Sequence, residues 1–591
     1  MTDVNKLITD NIDVWTSAIK KRNSQGRGSS KKIELTGIKK LRELFLELAV
    51  SGKLVPQDPT DEQASVLLDR IVEEKIKLLK DKLIKKPKKL PEITEEDKTI
   101  SLPQGWEFVR LNDLGEWGAG ATPRRGQSEL YGGDIPWFKS GELNSDFIDS
   151  SEETVTELAL KQASLRYNKV GDVLLAMYGA TIGKTSILKI RATTNQAVCA
   201  CTPFTGLSNI FLLTLLKAYR PKFIGMGAGG AQPNISREKI IATVIALPPL
   251  AEQHRIVAKV DELMALCDQL EQQTEQSLSA HQTLVEVLLA ALTNCDSTED
   301  FQTSWQRIAE HFDVLFTTEL SIEKLKQTIL QLAVMGKLVP QNPSDEPASV
   351  LLEKIAEEKA QLIADKKIKK QKALPEITDE EKPFELPNGW EYSRFGYYSN
   401  EIATGPFGSM IHKRDYIDNG VPLINPSHMI NSAIQEDIAI SVSKGKAKDL
   451  ASYTLYEHDI VMARRGEMGR CALVTKREEK WLCGTGSFVL RFNKALSRTY
   501  ILLLFKTQYV KNYLGGMSIG TTMTNLNHGI LNKMPLLIPP LPEQYRIVAR
   551  VDELMILCEQ LKARLSVAQT TQLHLADAVV SNALSAPALN E

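Results

Sequence analysis

The chain carries one passage twice. "LPPLAEQHRIVAKVDELMALCDQL" runs from Leu247 to Leu270, and "IPPLPEQYRIVARVDELMILCEQL" from Ile538 to Leu561. A second pair lies upstream. Leu41–Leu111, containing "LAVSGKLVPQ" and "LPEIT", aligns without a gap to Leu325–Phe395 at an offset of 284, with 43 identities in 71 positions. A tandem duplication fixes the architecture before any local reading does. Each half holds an upstream arm, an intervening block and a downstream arm. The blocks, Trp106–Leu247 and Trp390–Ile538, share only scattered similarity, such as "GDVLLAMYGATIGK" against "HDIVMARRGEMGR". A closely kept frame around diverged inserts points to one scaffold presenting two different heads, because a plain structural repeat diverges evenly along its length.

The downstream arms read as helices that begin just after the prolines at 248–249 and 539–540. Apolar residues follow 3–4 spacing: Ile256, Val260, Leu263, Cys267, Leu270, Leu284 and Leu288 in the first, and Ile547, Val551, Leu554, Cys558, Leu561, Leu565, Ala568, Leu575 and Val579 in the second. This seam predicts a coiled coil of about 60 Å per helix at 1.5 Å per residue. The other copy is the expected partner, antiparallel about a pseudo-two-fold axis. Thr274, Ser277 and His281 interrupt the first seam, and His281 is read as solvated or register-setting. The upstream arms are helical up to "GKLVPQ", and residues 64–86 predict a further helix ending before Pro87. Its lysines, Lys75 to Lys89, matched by Lys366 to Lys372, form a solvated face or a phosphate contact. Residues 1–30 read as one short helix and a linker.

Several classes are excluded. No run of 18 apolar residues exists, so no membrane span is expected, and the N-terminus lacks a signal-peptide layout. The seven cysteines include no C-x-x-C pair, which fits a reducing cytoplasm and argues against a disulfide framework or structural zinc. Cys267 and Cys558 are expected in the core. "YGATIGKTS" (178–186) has Tyr178 where a phosphate-binding loop needs glycine. "GMGAGG" (225–230) and "GMSIG" (516–520) follow helical runs and lack the strand–turn–helix context of the motifs they spell. The eight histidines form no metal-ligand set. No catalytic constellation, metal site or bound cofactor is expected.

Charge separates the inserts from the frame. Residues 106–247 hold 15 Lys/Arg and 13 Asp/Glu, and residues 390–538 hold 18 and 12, net +2 and +6. The whole chain is −1, so the remainder carries −9. Basic heads on an acidic frame are the footprint of a protein whose heads meet a polyanion. The expected DNA-contact residues are Thr122, Arg124, Arg125, Lys139, Tyr178, Lys184, Gln232 and Asn234 in the first head. In the second they are Lys413, Arg414, Arg464, Arg465, Thr521, Thr522 and Asn525. Arg and Lys suit guanine edges and phosphates, Asn and Gln adenine edges, and Thr the thymine methyl. For any one loop an ordinary polar turn is the plainer reading; the set together points to nucleic acid.

The paired "LPPLAEQHRIVAKVDELM"/"IPPLPEQYRIVARVDELM" and "LAVSGKLVPQ"/"LAVMGKLVPQ" arms, with "GATPRR…YGGDIPWFKSGEL" and "HDIVMARRGEMGRCALV" in the heads, resemble the specificity subunit (HsdS) of type I restriction-modification systems, most like the IB subgroup. "GATPRR" has no good counterpart in the second head, where "ATGPFGSM" stands. The resemblance implies an α+β fold: two mixed α/β target-recognition domains separated by long antiparallel coiled-coil helices. The corresponding boundaries are 1–105 (arm), 106–247 (first recognition domain), 248–389 (central arm), 390–538 (second recognition domain) and 539–591 (C-terminal helix). It implies a non-catalytic, cytoplasmic subunit that binds double-stranded DNA, two modification (HsdM) subunits carrying S-adenosylmethionine, and restriction (HsdR) subunits using ATP and Mg. Two other readings stand beside it: a self-contained methyltransferase with degenerate motifs, and a coiled-coil scaffold binding proteins alone.

Overall fold

The computed structural model describes residues 4–21, 33–84, 90–98, 100–227, 233–295, 297–382, 384–516 and 526–585. The lysines at 85–89, the second half of "GMGAGG" and nearly all of "GMSIG" lie outside them. The fold is α+β, with a long helix, Leu250–Thr293, between two sheet-rich regions and a second, Leu541–Ser585, closing the chain. Two compact units form: Met1–Ser277 with Val567–Glu591, and Leu278–Ser566. Each long helix therefore gives its first part to one unit and its last part to the other.

Both units contain the same three-helix arrangement. In the first, the upstream helix Thr36–Val50 is held by the start of the first long helix, where Arg42 pairs with Asp268 and Glu271 at 2.7 Å. It is also held by the end of the second, through Lys40–Asp577 and Lys53 donating to the Leu584 carbonyl. In the second unit, the helix Glu319–Val334 is held by the start of the second long helix, through Lys326–Glu559 and Lys562–Glu323 (3.1 Å). The end of the first long helix completes it, through Lys324–Glu286 (3.2 Å) and Lys337 donating to the Cys295 carbonyl (2.7 Å). Along this upstream helix the contacts run in the same sense as residues 286–295 and in the opposite sense to 559–562. The two long-helix segments are thus antiparallel within that unit.

The seam differs in detail from its predicted form. Ile256, Val260, Leu263, Cys267 and Leu270 are buried, as are Ile547, Val551 and Cys558, so both cysteines are core residues. Leu554 and Leu561 are half-buried against a cluster that holds Leu325 and Ile329 as well as Val285, Leu289 and Leu292. The upstream helix thus shares the seam that the spacing assigns to the other long helix alone. Leu284 is 50% exposed and Leu288 half-buried, while Val285, Leu289 and Leu292 are buried; likewise Leu575 and Ala568 are exposed and Ala576 and Ala583 buried. An apolar stripe on a straight helix follows 3.6 residues per turn and drifts off a strict 3.5 repeat over several turns. His281 Nε2 lies 3.1 Å from the Val314 carbonyl oxygen, an anchor for the segment after the helix.

The repeated motifs anchor the heads. Gly52 (φ +71°) and Gly336 (φ +69°) close their helices, with Lys53 N–H bonded to Leu48 O and Lys337 N–H to Leu332 O, both at 3.0 Å. The following Gln of each "GKLVPQ" donates to the Glu of the downstream "EQ": Gln57 to Glu252 (3.1 Å) and Gln341 to Glu543 (3.2 Å). The same carboxylates accept from Trp106 Nε1 (2.9 Å) and Trp390 Nε1 (3.1 Å), at the start of each head. Arg255–Asp61 and Arg546–Asp345, each at 2.6 Å, flank them. The further upstream helix ends at Lys80, short of the predicted residue 86, because Lys82 (φ +54°) turns left-handed and Leu83 N–H bonds back to Leu78 O (2.9 Å). Its repeat, Ala348–Ala364, ends the same way at Lys366 (φ +57°).

Each head leaves and rejoins the frame through one antiparallel pair: Glu107–Arg110 with Val244–Leu247, and Glu391–Arg394 with Pro535–Ile538. Burial raises the Glu252 and Glu543 carboxyls above the ordinary carboxylate range. A group whose proton is held more tightly when folded loses stability as pH rises from the unfolded value through the folded one. Glu252→Ala removes the acceptor of Trp106 and Gln57 and should cost about 1–3 kcal/mol. Glu252→Gln keeps an acceptor, should cost less and should lose the Glu252 share of this pH dependence, that of Glu543 remaining. Denaturant unfolding of the three proteins at pH 5 and 7.5 checks the order; equal loss in both variants would remove the hydrogen bonds as the cause.

Candidate nucleic-acid interface

Beneath their different sequences the heads share a scaffold. The first has a sheet in the order Gly115–Ala119, Val198–Pro203, Val173–Ala176, Thr185–Leu188, with Phe147–Ile148 at one edge. The second repeats the first four as Ser399–Thr404, Ser487–Phe492, Ile460–Ala463, Cys471–Leu473. A smaller sheet in each holds one parallel pair, Trp137–Phe138 with Thr193–Thr194 and Leu423–Ile424 with Leu482–Cys483.

The loops at one end of the main sheet match bond for bond. Gly120 N–H bonds to Val198 O (3.1 Å) as Gly405 N–H does to Ser487 O (2.9 Å). Met177 N–H bonds to Ala197 O (2.8 Å) as Arg464 N–H does to Gly486 O (2.9 Å). Ile235 N–H reaches Met177 O and Leu526 N–H reaches Arg464 O, both at 3.0 Å. Ala176 N–H bonds to Lys184 O (2.8 Å) and Ala463 N–H to Arg470 O (2.9 Å). A Cβ on Gly120 would sit 2.1 Å from Thr194 O and one on Gly405 2.2 Å from Gly484 O, so both positions require glycine. "GATPRR" therefore does have a main-chain counterpart, Gly405-Pro406-Phe407-Gly408, though its side chains differ. The expectation of no counterpart is corrected at the backbone and holds at the side chains.

In the first head the structure gathers Thr122, Tyr178 and Asn234 about this loop cluster. Thr122 Oγ1 donates to Gln196, and Tyr178 bridges to Asn234 across an isolated β-pair. Lys184 Nζ donates to Asn144 Oδ1 (2.6 Å). Arg124 is exposed, its side chain without a hydrogen bond or ion pair to any described residue. Arg125 and Lys139 converge on one carboxylate. Arg125 reaches Glu153 at 2.5 Å and lies 4.9 Å from the Tyr131 ring centroid; Lys139 reaches Glu153 at 3.1 Å and Glu152 at 2.8 Å. The hydrogen bond to Arg125, then that to Lys139, draws the Glu153 carboxyl below its usual range. These cations are already neutralised in the free protein. Gln232 lies outside the described residues.

In the second head Lys413, Arg414 and Arg465 are exposed and make no side-chain hydrogen bond or ion pair with any described residue. Arg464 differs. It is half-buried, its guanidinium 5.0 Å from the Phe488 ring centroid, with Nε donating to the Leu526 carbonyl at 3.3 Å. Burial, then the neighbouring Arg465, lowers its pKa. Thr521, Thr522 and Asn525 lie outside the described residues. The expected contact residues do not include Gln196, Glu153 or Phe407, the last 67% exposed at the start of the candidate reading loop "FGSMIHKRDY" (407–416). A lone aromatic between two glycines in "GPFGS" was the available signal for Phe407.

The profile of the type I restriction modification DNA specificity domain matches residues 103–280 and 400–567. The chain belongs to this family. It is 39% identical over 601 aligned residues to the EcoAI specificity subunit of Escherichia coli, covering 98% of this chain and 100% of that one. It is 38% identical over 603 to the EcoEI specificity subunit of the same organism, with the same coverage. A crystal structure of the HsdS subunit from Thermoanaerobacter tengcongensis is 18% identical, covers 83% of this chain and 98% of its own, and superposes with a TM-score of 0.39. The chain is thus a non-catalytic DNA-specificity subunit, and the methyltransferase and protein-scaffold readings are set aside. Among the described residues no helix is long and apolar enough to cross a membrane.

The Glu153 ion pairs have a measurable consequence. Glu153→Gln frees Arg125 and leaves Lys139 with Glu152 alone. If DNA passes this loop, the variant should bind non-specific duplex more tightly, and its affinity should fall more steeply with salt, the log–log slope steepening by about 0.9 for each additional phosphate neutralised. Titrations at several salt concentrations check this, and an unchanged slope would place Arg125 off the DNA path.

Proposed function

We propose that each head reads one half of an asymmetric, bipartite DNA site and that the frame binds two modification (HsdM) subunits and, through them or beside them, restriction (HsdR) subunits, in the cytoplasm. S-adenosylmethionine, ATP and Mg would be held by those partners. The observation that carries this reading is the pair of heads with one backbone scaffold and unlike side chains at its loop ends. Two identical readers would select a palindrome; two unlike readers select an asymmetric sequence. Likeness to the EcoAI and EcoEI subunits along the whole chain supports placement in the IB subgroup.

The test is a genome-wide map of methylated adenines in cells carrying the chain and its modification partner. The expected result is two unlike short sequences separated by a fixed unread spacer; a contiguous or palindromic motif would overturn it.

The shared frame makes a further outcome predictable. A fragment of residues 30–300 has the upstream helix and the first long helix but lacks the second helix end that Lys40 and Lys53 hold. A second copy supplies equivalents. Glu286 and the Thr293 carbonyl occupy in the other unit the places of Asp577 and the Leu584 carbonyl, opposite Lys324 and Lys337. Two fragments should therefore associate, more weakly than the intact chain since Thr274, Ser277 and His281 occur twice. Coexpressed with the modification partner, the fragment should direct methylation to an interrupted palindrome containing one native half-site. A folded, complexed fragment that modifies only the native asymmetric site would defeat this.

A further inference from the structure

Two loops leave the main sheet of the second head at the same end. Thr404 and Ala463 both end strands that pair with Ser487–Phe492, at Phe488 and Ser487 respectively. Beyond them come Phe407 and Arg465, both exposed. The matched backbone bonds put Thr122 and Tyr178 at the corresponding positions of the first head, and Met177, 3% exposed, at that of Arg464.

This position decides between two adjacent arginines that the sequence treats alike. The residue at 177 or 464 is bonded on both sides, through its N–H to the 197/486 turn and through its carbonyl to 235/526. Its side chain turns in: Met177 into the core, Arg464 onto Phe488 and the Leu526 carbonyl. The next residue turns out. Arg465 retains an uncommitted guanidinium able to meet guanine O6 and N7 together, and Phe407 offers an apolar face to a thymine methyl or a base step. An exposed phenylalanine on a head with net charge +6 has a use where a polyanion also presents apolar groups.

We propose that Phe407 and Arg465 are specificity-determining residues of the second head, that Thr122 and Tyr178 hold the same positions in the first, and that Arg464, turned inward, does not touch DNA. This rests on the reading of the heads as half-site readers.

The test uses the full chain with its modification partner and maps methylated adenines for Arg465→Ala, Phe407→Ala, Arg464→Met and the wild type. Arg465→Ala and Phe407→Ala should each relax discrimination in one half-site by about ten- to a hundredfold and leave the other half untouched. Arg464→Met installs the first head's solution and should leave the motif unchanged; Arg464→Lys serves if that variant does not fold. Both substituted residues of the first pair are exposed, and matching unfolding curves confirm intact heads. Wild-type stringency in both Ala variants overturns the proposal. So does a relaxed half-site in Arg464→Met beside an unaltered one in Arg465→Ala, or an equal loss at every sequence, which marks a phosphate contact. A wild-type complex that leaves no bipartite methylated sequence would instead overturn the half-site reading itself.

Discussion

A carboxylate removed from water at the first turn of each long helix is the interaction on which the frame depends. Glu252 and Glu543 are each 1% exposed and each takes two donors, an indole N–H from the first residue of a head and an amide from the upstream arm. A buried carboxylate without partners is costly, so the three segments have to meet or the junction does not form. The placement at a helix N-terminus adds favourable dipole charge. Tying head, upstream arm and downstream arm to one atom pair fixes how the head stands on its helix. Fixed standing is what a reader of two separated sequences needs.

The frame was legible in the sequence because it is present twice. Every residue that binds at the junction, Gln57, Trp106, Glu252 and Arg255 with their repeats, lies inside the duplicated stretches. What the sequence could not supply was the partner. A seam of apolar residues says that something packs on it, and the second long helix was the obvious candidate. The upstream helices share the place because Arg42 and Lys326 bring their charged ends to Asp268 and Glu559, pairings that no spacing rule announces.

The heads were legible as domains and much less so as surfaces. Alternation of polar and apolar residues tells which side chains point outward on a half-buried strand. It fails for Ile460–Ala463 and Val173–Ala176, every residue of which is buried. With no phase to extend into the loop, Arg464 and Arg465 looked equivalent. Lys139 and Arg125 looked free for a related reason: their common acid, Glu153, is 14 and 28 residues away in the chain. Phe407 carries no polar signal at all, and its exposure emerges only once the fold gives it nothing to pack on.

The same geometry explains why frame and heads differ so much in how closely their two copies agree. Each upstream helix is closed by the end of the other copy's long helix, Lys40 by Asp577 and Lys324 by Glu286. A change at one end of one helix is therefore felt by the opposite half of the chain, and the two copies must stay compatible. No such cross-requirement acts on the heads. Each meets its own half of the frame, through a two-stranded ribbon, a tryptophan and bonds such as Thr205 to Glu74 in the first head and Lys359 to the Gly396 and Ser399 carbonyls in the second, and its loop ends hang on main-chain hydrogen bonds that any side chain permits. Glycine is demanded at 120 and 405, where a Cβ would strike a carbonyl; at 122 and 407, two residues on, threonine and phenylalanine are both accepted. A scaffold held by backbone bonds, with free choice at its tips, lets a recognition surface change while the fold beneath it does not.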